Sequence, residues 1–126
     1  MNLYQDIVRP ALFTLDAERA HGIVSGAAKH LQRSEVARSM LRSQYLVDDP
    51  RLAVSVGGVN WRNPVGLAAG FDKTGALPPF FEALGFGCIE IGTFTQHAQL
   101  GNPTPRLFRI LEDEALVNRM GFNNRI

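Results

Sequence analysis

The chain has 126 residues, of which 45% are apolar and 20% charged, the proportions of a globular core and not of a disordered or collagen-like chain. Thirteen basic against twelve acidic side chains leave a net charge of +1 with no basic block, which excludes a nucleic-acid footprint. The lone Cys88 excludes an internal disulfide and a cysteine-cluster metal site.

In chain order, Leu3, Ile7, Ala11 and Leu15 recur at helical spacing, and Pro10 is expected to bend or end that helix. No long apolar block follows the start, so the N-terminus does not read as a signal peptide, and a cytoplasmic origin is expected. Asp16 is placed to cap a second helix, with Glu18 in its first turn. Ala20, Val24, Ala27, Ala28 and Leu31 would form its apolar face. Ser34 would cap a third helix carrying Val36, Met40 and Leu41. Three such helices bury little by themselves and require a partner: the rest of the chain or a membrane surface.

Near residue 50 the pattern changes. Leu52, Val54 and Val56 alternate, Gly57-Gly58 follows, and Val59 and Trp61 alternate again, which predicts a β-hairpin. Val65 to Ala69 reads as a short buried strand, Pro79 to Leu84 as a helix stopped by Gly85, and Cys88 to Ile91 as a second strand. Strand, helix and strand at this spacing predict a βαβ unit with a parallel pair. No stretch approaches the ~20 apolar residues of a membrane span.

Three segments are candidates for chemistry. Ala68-Ala69-Gly70-Phe71-Asp72-Lys73 puts small residues and a cation at the C-terminal end of the first strand, where ligands bind in parallel α/β folds. The competing reading is a turn with a Asp72–Lys73 surface ion pair of little worth. Gly92-Thr93 stands at the matching end of the second strand; the Thr93 hydroxyl suits either a ligand or the following turn. Asn118 to Asn124 gathers amides and Arg119 around Gly121. Amides match the donor and acceptor edges of a pyrimidine-like ring, and the alternative is a helix C-terminus stopped by glycine. His21, on a helix face, reads as a ligand or as a half-buried packing residue. Gly85-Phe86-Gly87 precedes a strand and so opens no phosphate loop, and neither a metal motif nor a nucleophile elbow is present.

Taken together, Asn63 to Lys73, Leu84 to Gly87, Glu90 to Thr93, Gly101-Asn102-Pro103, Pro105 to Arg109, Glu112 to Leu116 and Asn118 to Asn124 resemble, in order and spacing, the dihydroorotate dehydrogenases. Arg9 to Phe13 with Asp16 to His21 is similar to the helical extension of the quinone-dependent class 2 branch. Thr74, Gln96-His97-Ala98 and Leu111 depart from the family pattern, all in expected loops. The resemblance covers nearly the whole chain and about the first third of a family member.

What it implies is an α/β chain with two parts. Residues 1–48 would form a helical membrane and quinone-tunnel extension, and residues 49–126 the first strands and helices of an incomplete FMN-binding (β/α)8 TIM barrel. A complete barrel takes about 250 residues. The implied activity is oxidation of dihydroorotate to orotate, with electrons passed through FMN to a membrane quinone in pyrimidine biosynthesis. Carried over by position, Ala69, Gly70, Phe71, Asp72, Lys73 and Thr93 would contact FMN. Lys73, Asn118, Arg119, Met120, Gly121 and Phe122 would contact substrate, and His21 and Arg109 would line the quinone tunnel. The catalytic base is expected beyond Ile126, so this chain alone is expected to be inactive. Its implied location is the cytoplasmic face of the inner membrane. Two other readings are a different flavin-dependent TIM-barrel oxidoreductase and a non-catalytic helical membrane-interaction fragment.

Overall fold

A computed structural model describes residues 2–124. The N-terminal segment winds as a π-helical turn, Tyr4–Val8, and passes without a break into α1, Arg9–Phe13. Pro10 does not end this helix as expected. It stands at the junction of the two segments, where the winding changes from i→i−5 to i→i−4.

Asp16 starts α2, Ala17–Leu31, as its sequence position predicts: Oδ1 accepts the amides of Glu18 at 2.9 Å and Arg19 at 3.0 Å. The buried face is narrower than expected. Ala17, Ala20 and Ala28 are buried, whereas Val24, Ala27 and Leu31 are exposed. Small side chains let the helix axis approach its neighbours closely, and the larger ones are left on the far side. Ser34 caps α3, Glu35–Tyr45, by accepting the Ala37 amide at 3.3 Å. Of its three expected core positions only Leu41 is half-buried; Val36 and Met40 face solvent.

After a 3-10 turn at Pro50–Leu52, which takes Leu52 out of the expected strand, β1 (Val54–Val56) and β2 (Val59–Trp61) form an antiparallel hairpin. Gly57 and Gly58 have φ of +59° and +80°, the left-handed pair that a two-residue hairpin turn needs. β3 (Gly66–Leu67) and β4 (Cys88–Ile89) pair in parallel across α4, Pro78–Ala83, which is the expected βαβ unit. The ladder is shorter than the apolar runs and is not fully buried, since Val65 is exposed and Leu67 only half-covered.

The core lies under this unit. Ala28 of α2, Leu77 and Phe81 are buried together, with Leu67, Phe80, Leu84, Phe86 and Ile89 packed round them. At the N-terminal end of both strands, buried Asn63 donates Nδ2 to the Gly85 carbonyl at 2.9 Å and accepts the Val65 amide at 3.0 Å. Gly87 makes room for it, because a Cβ there would lie 2.1 Å from the Asn63 carbonyl oxygen.

The last third is antiparallel. β6 (Leu107–Ile110) pairs with β7 (Ala115–Asn118), and β5 (Gln99–Leu100) pairs with β8 (Asn123–Asn124). Residues 118–124 are therefore a strand end, a turn and a second strand, which overturns the helix C-terminus reading. The strands of the described residues form four two-stranded sheets, with no closed barrel among them.

Candidate functional site

The site is built where the two parallel strands end. Beyond β3 and β4 the chain stays laced, with the Gly70 amide on the Gly92 carbonyl at 3.1 Å and the Gly92 amide on the Asp72 carbonyl at 3.2 Å. Gly70 has φ of +104°, and a Cβ placed on it would meet nothing within 4 Å, so the backbone there faces open space.

Asp72 does not form the surface ion pair considered from sequence. It is buried at 3% exposure, and its carboxylate turns inward. One oxygen accepts the Thr74 amide and hydroxyl at 3.3 Å and the Ala76 amide at 3.1 Å, and the other accepts the Leu77 amide at 2.7 Å. The loop that carries Lys73 is thereby fixed to the start of α4. Phe71 is on the wall of the larger cavity and also packs. Its ring stands edge-on between His21, with centroids 4.6 Å apart, and Phe81, at 5.3 Å. The Phe71 carbonyl lies 3.1 Å from His21 Nε2.

Lys73 is half-buried, and its ammonium donates to Oδ1 of Asn123. Burial pushes its pKa below the usual lysine value, and the nearby Arg106 charge pushes the same way, with Glu18 opposing. Asn124, 2% exposed, donates Nδ2 to the Thr93 carbonyl. These two asparagines bind the 118–124 segment to both strand ends. Their run of amides was visible in sequence, but their roles as the clasp depend on pairing with β5, which no periodicity announced.

Two cavities share Ala69, Gly70, Lys73 and Asn123. The smaller, about 250 Å³, also takes in Thr93, Gly121 and Phe122. The larger, about 550 Å³, reaches Asn118 and Met120 on one side and His21 and Lys29 on the other, within the size range of ligand sites. Arg119 points elsewhere, donating to the Pro105 carbonyl at 3.2 and 3.1 Å. Arg109 is separate too. It lines a third cavity of about 320 Å³, stacks over Phe13 at 4.6 Å, and donates to the Leu15 carbonyl at 2.7 Å. The structure thus brings together His21 and the Lys73 loop but places Arg109 in a different cavity from His21.

An open glycine backbone, a desolvated cation and neighbouring amides fit a flat, polar ring with acidic or imide edges, the chemistry of a flavin or a pyrimidine. Among the described residues no group of three or more His, Cys, Asp or Glu side chains is placed to hold a metal ion. No described helix is long and apolar enough to cross a membrane.

Comparison with known proteins shows the family. Dihydroorotate dehydrogenase (quinone) from Roseiflexus sp. (strain RS-1) is 50% identical over 118 residues, which are 94% of this chain and 33% of that protein. The enzyme of the same name from Natronomonas pharaonis is 50% identical over 124 residues, 98% of this chain and 35% of that protein. A dihydroorotate dehydrogenase from Eimeria tenella, crystallised with ferulenol, superimposes with a TM-score of 0.73 at 40% identity, covering 90% of this chain and 30% of that one. The chain thus spans about a third of the length of the relatives it matches, and it shares their α/β fold. Residues 51–125, which hold the strand ends, Lys73 and the asparagine clasp, match the family profile of dihydroorotate dehydrogenase, and the chain belongs to that family.

Proposed function

We propose that this chain is the part of a quinone-dependent dihydroorotate dehydrogenase that carries the helical extension and the first portion of an FMN-binding (β/α)8 barrel. The enzyme would oxidise dihydroorotate to orotate in pyrimidine biosynthesis. The observation that carries this reading is the half-buried Lys73 ammonium, held by Asn123 where two cavities meet at the strand ends.

When bound, FMN supplies the ring that accepts hydride from dihydroorotate and passes the electrons on to a quinone. Ala69 and Gly70 offer it a surface without side-chain bulk, with Thr93 at the neighbouring strand end. Lys73 supplies a cation shared by both cavities, which lowers the cost of negative charge on a bound ring or carboxylate in a desolvated place. Asn118, at the edge of the larger cavity, offers a donor and an acceptor that orient a substrate with both. His21 flanks the same cavity from α2 and would mark its quinone side; Arg109 would serve the quinone from the third cavity. Leu3, Tyr4 and Ile7, 63%, 54% and 50% exposed, give the first helical segment an uncovered apolar side. That side supports a peripheral seat on the cytoplasmic face of the membrane.

The test uses the complete enzyme containing this chain, loaded with FMN. Dihydroorotate should reduce it, with a quinone as acceptor. Lys73→Ala should slow flavin reduction on the order of a hundredfold and weaken orotate binding. Equal rates and equal orotate affinity for the variant would remove the role given to Lys73. The 126-residue chain by itself is expected to show no dihydroorotate-dependent quinone reduction, and measurable turnover by it would overturn the placement of the base outside it.

A further inference from the structure

The most buried cation of the described chain outside the cavity walls is Arg106, at 6% exposure. It reads as a junction. One side of its guanidinium forks onto Glu18 of α2, with Nε 3.1 Å from both carboxylate oxygens and Nη2 2.6 Å from Oε1. From the other side Nη1 donates to the carbonyls of Leu100 at 2.7 Å and Asn102 at 2.9 Å. Asn102 holds the substrate-side turn in its own right: its amide meets the Met120 carbonyl at 3.0 Å, and its Nδ2 meets the Arg119 carbonyl at 2.7 Å. The Arg119 amide returns to the Arg106 carbonyl at 2.8 Å. Gly121 fits this turn tightly, since a Cβ there would lie 3.2 Å from the Asn102 nitrogen. Two residues on, Asn123 receives the Lys73 ammonium.

We propose that Glu18 and Arg106 are positioning residues that tie α2, on the quinone side, to the 118–124 segment, on the substrate side, and so set where Asn118 and the Asn123–Lys73 contact stand. A planar fork suits this task because Nε and Nη2 hold the carboxylate while Nη1, on the far side, serves two carbonyls, a spread that a compact ammonium lacks. Arg106 is buried while Glu18 stands part-exposed at the cavity wall, so removing the carboxylate leaves a buried guanidinium short of its partner. The inference rests on the proposed function, since it takes residues 118–124 as the substrate segment.

The charges give a second reading of the same tie. Glu18, His21, Lys29 and Asp72 line the larger cavity with Lys73, and Arg106 lies behind it. The Arg106 charge disfavours the Lys73 ammonium and the Glu18 charge favours it. Replacing Glu18 by the isosteric amide therefore removes the offset and moves Lys73 titration further down. If orotate binding uses the ammonium, affinity falls as pH rises through the Lys73 pKa, and in Glu18→Gln that fall comes at lower pH than in the unsubstituted enzyme.

The experiment measures hydrogen–deuterium exchange and calorimetric orotate binding across pH on the complete FMN-loaded enzyme, for Glu18→Gln and Arg106→Lys. Both variants should raise exchange locally at residues 118–124 and weaken orotate on the order of tenfold. Only Glu18→Gln should shift the alkaline fall in affinity. Unchanged exchange at 118–124 in an enzyme that still binds orotate overturns the tie alone. Exchange raised evenly over the whole chain also overturns it, as the signature of general destabilisation. An unsubstituted enzyme that does not bind orotate overturns the proposed function, and with it the substrate role of the tie.

Discussion

The helices α2 and α3 are separated by three residues and are held differently: both carry ion pairs to other elements, but only α2 adds buried contacts. α2 buries Ala17, Ala20 and Ala28 and contributes Ala28 to the core beside Leu77 and Phe81. α3 buries nothing and is tethered by charge, Arg42 reaching Glu82 of α4 at 2.8 Å and Glu35 on its own helix at 3.1 Å. The contrast teaches where this fold puts its precision. The helix beside the cavity is seated by close contact, which tolerates little movement, and the helix away from it is held by exposed ion pairs, which tolerate much.

Three changes would break or sharpen that contrast. Leu77→Ala should be the most damaging. It empties a position 1% exposed at the centre of the shared core, and a loss of about 2–5 kcal/mol is expected in denaturant unfolding. Ala28→Leu comes next. Extra methyl groups at a 2% exposed contact should cost about 1–3 kcal/mol through overpacking. The same unfolding measurement checks it, and a neutral result would show that α2 is seated as loosely as α3.

The smallest effect is electrostatic. Arg38 and then Arg42, by hydrogen bonds and charge, hold Glu35 below its ordinary value of 4.5. A carboxylate with a lowered folded-state pKa contributes stability that is fully present above the unfolded value and is lost as pH falls through the folded one. Glu35→Gln should therefore leave a slight deficit near neutrality that vanishes in acid, and added salt should shrink the deficit. Helicity followed against pH at two salt concentrations reads both.

Much of this architecture was legible in the chain itself because its signals are local. Asp16 and Ser34 announce helix starts by offering an oxygen to amides two or three residues on. Gly57-Gly58 supplies the only residue type that takes two successive positive φ values without strain, so the hairpin could be read directly. The strand, helix, strand order around α4 is enough to put Lys73 and Thr93 at neighbouring strand ends. What escaped reading depends on distance along the chain. Glu18 and Arg106 are 88 residues apart, and nothing in either residue's neighbourhood names the other. Asp72 reads as a surface partner for Lys73 because the two are adjacent in a turn, yet four donors of its own loop take its carboxylate. The β5–β8 pair has two residues a side, too short for alternation to show.

Asn63 and Gly87 lie at the opposite end of both parallel strands from Lys73 and Thr93. With Asn63 wedged beneath Gly87, sliding one strand past the other would mean losing the hydrogen bond from its buried amide to the Gly85 carbonyl. A slide of a single residue would move Ala69 against Thr93 by about 3.3 Å. A larger residue at 87 would meet the Asn63 backbone, so it should weaken the parallel pair and displace the distant strand ends together.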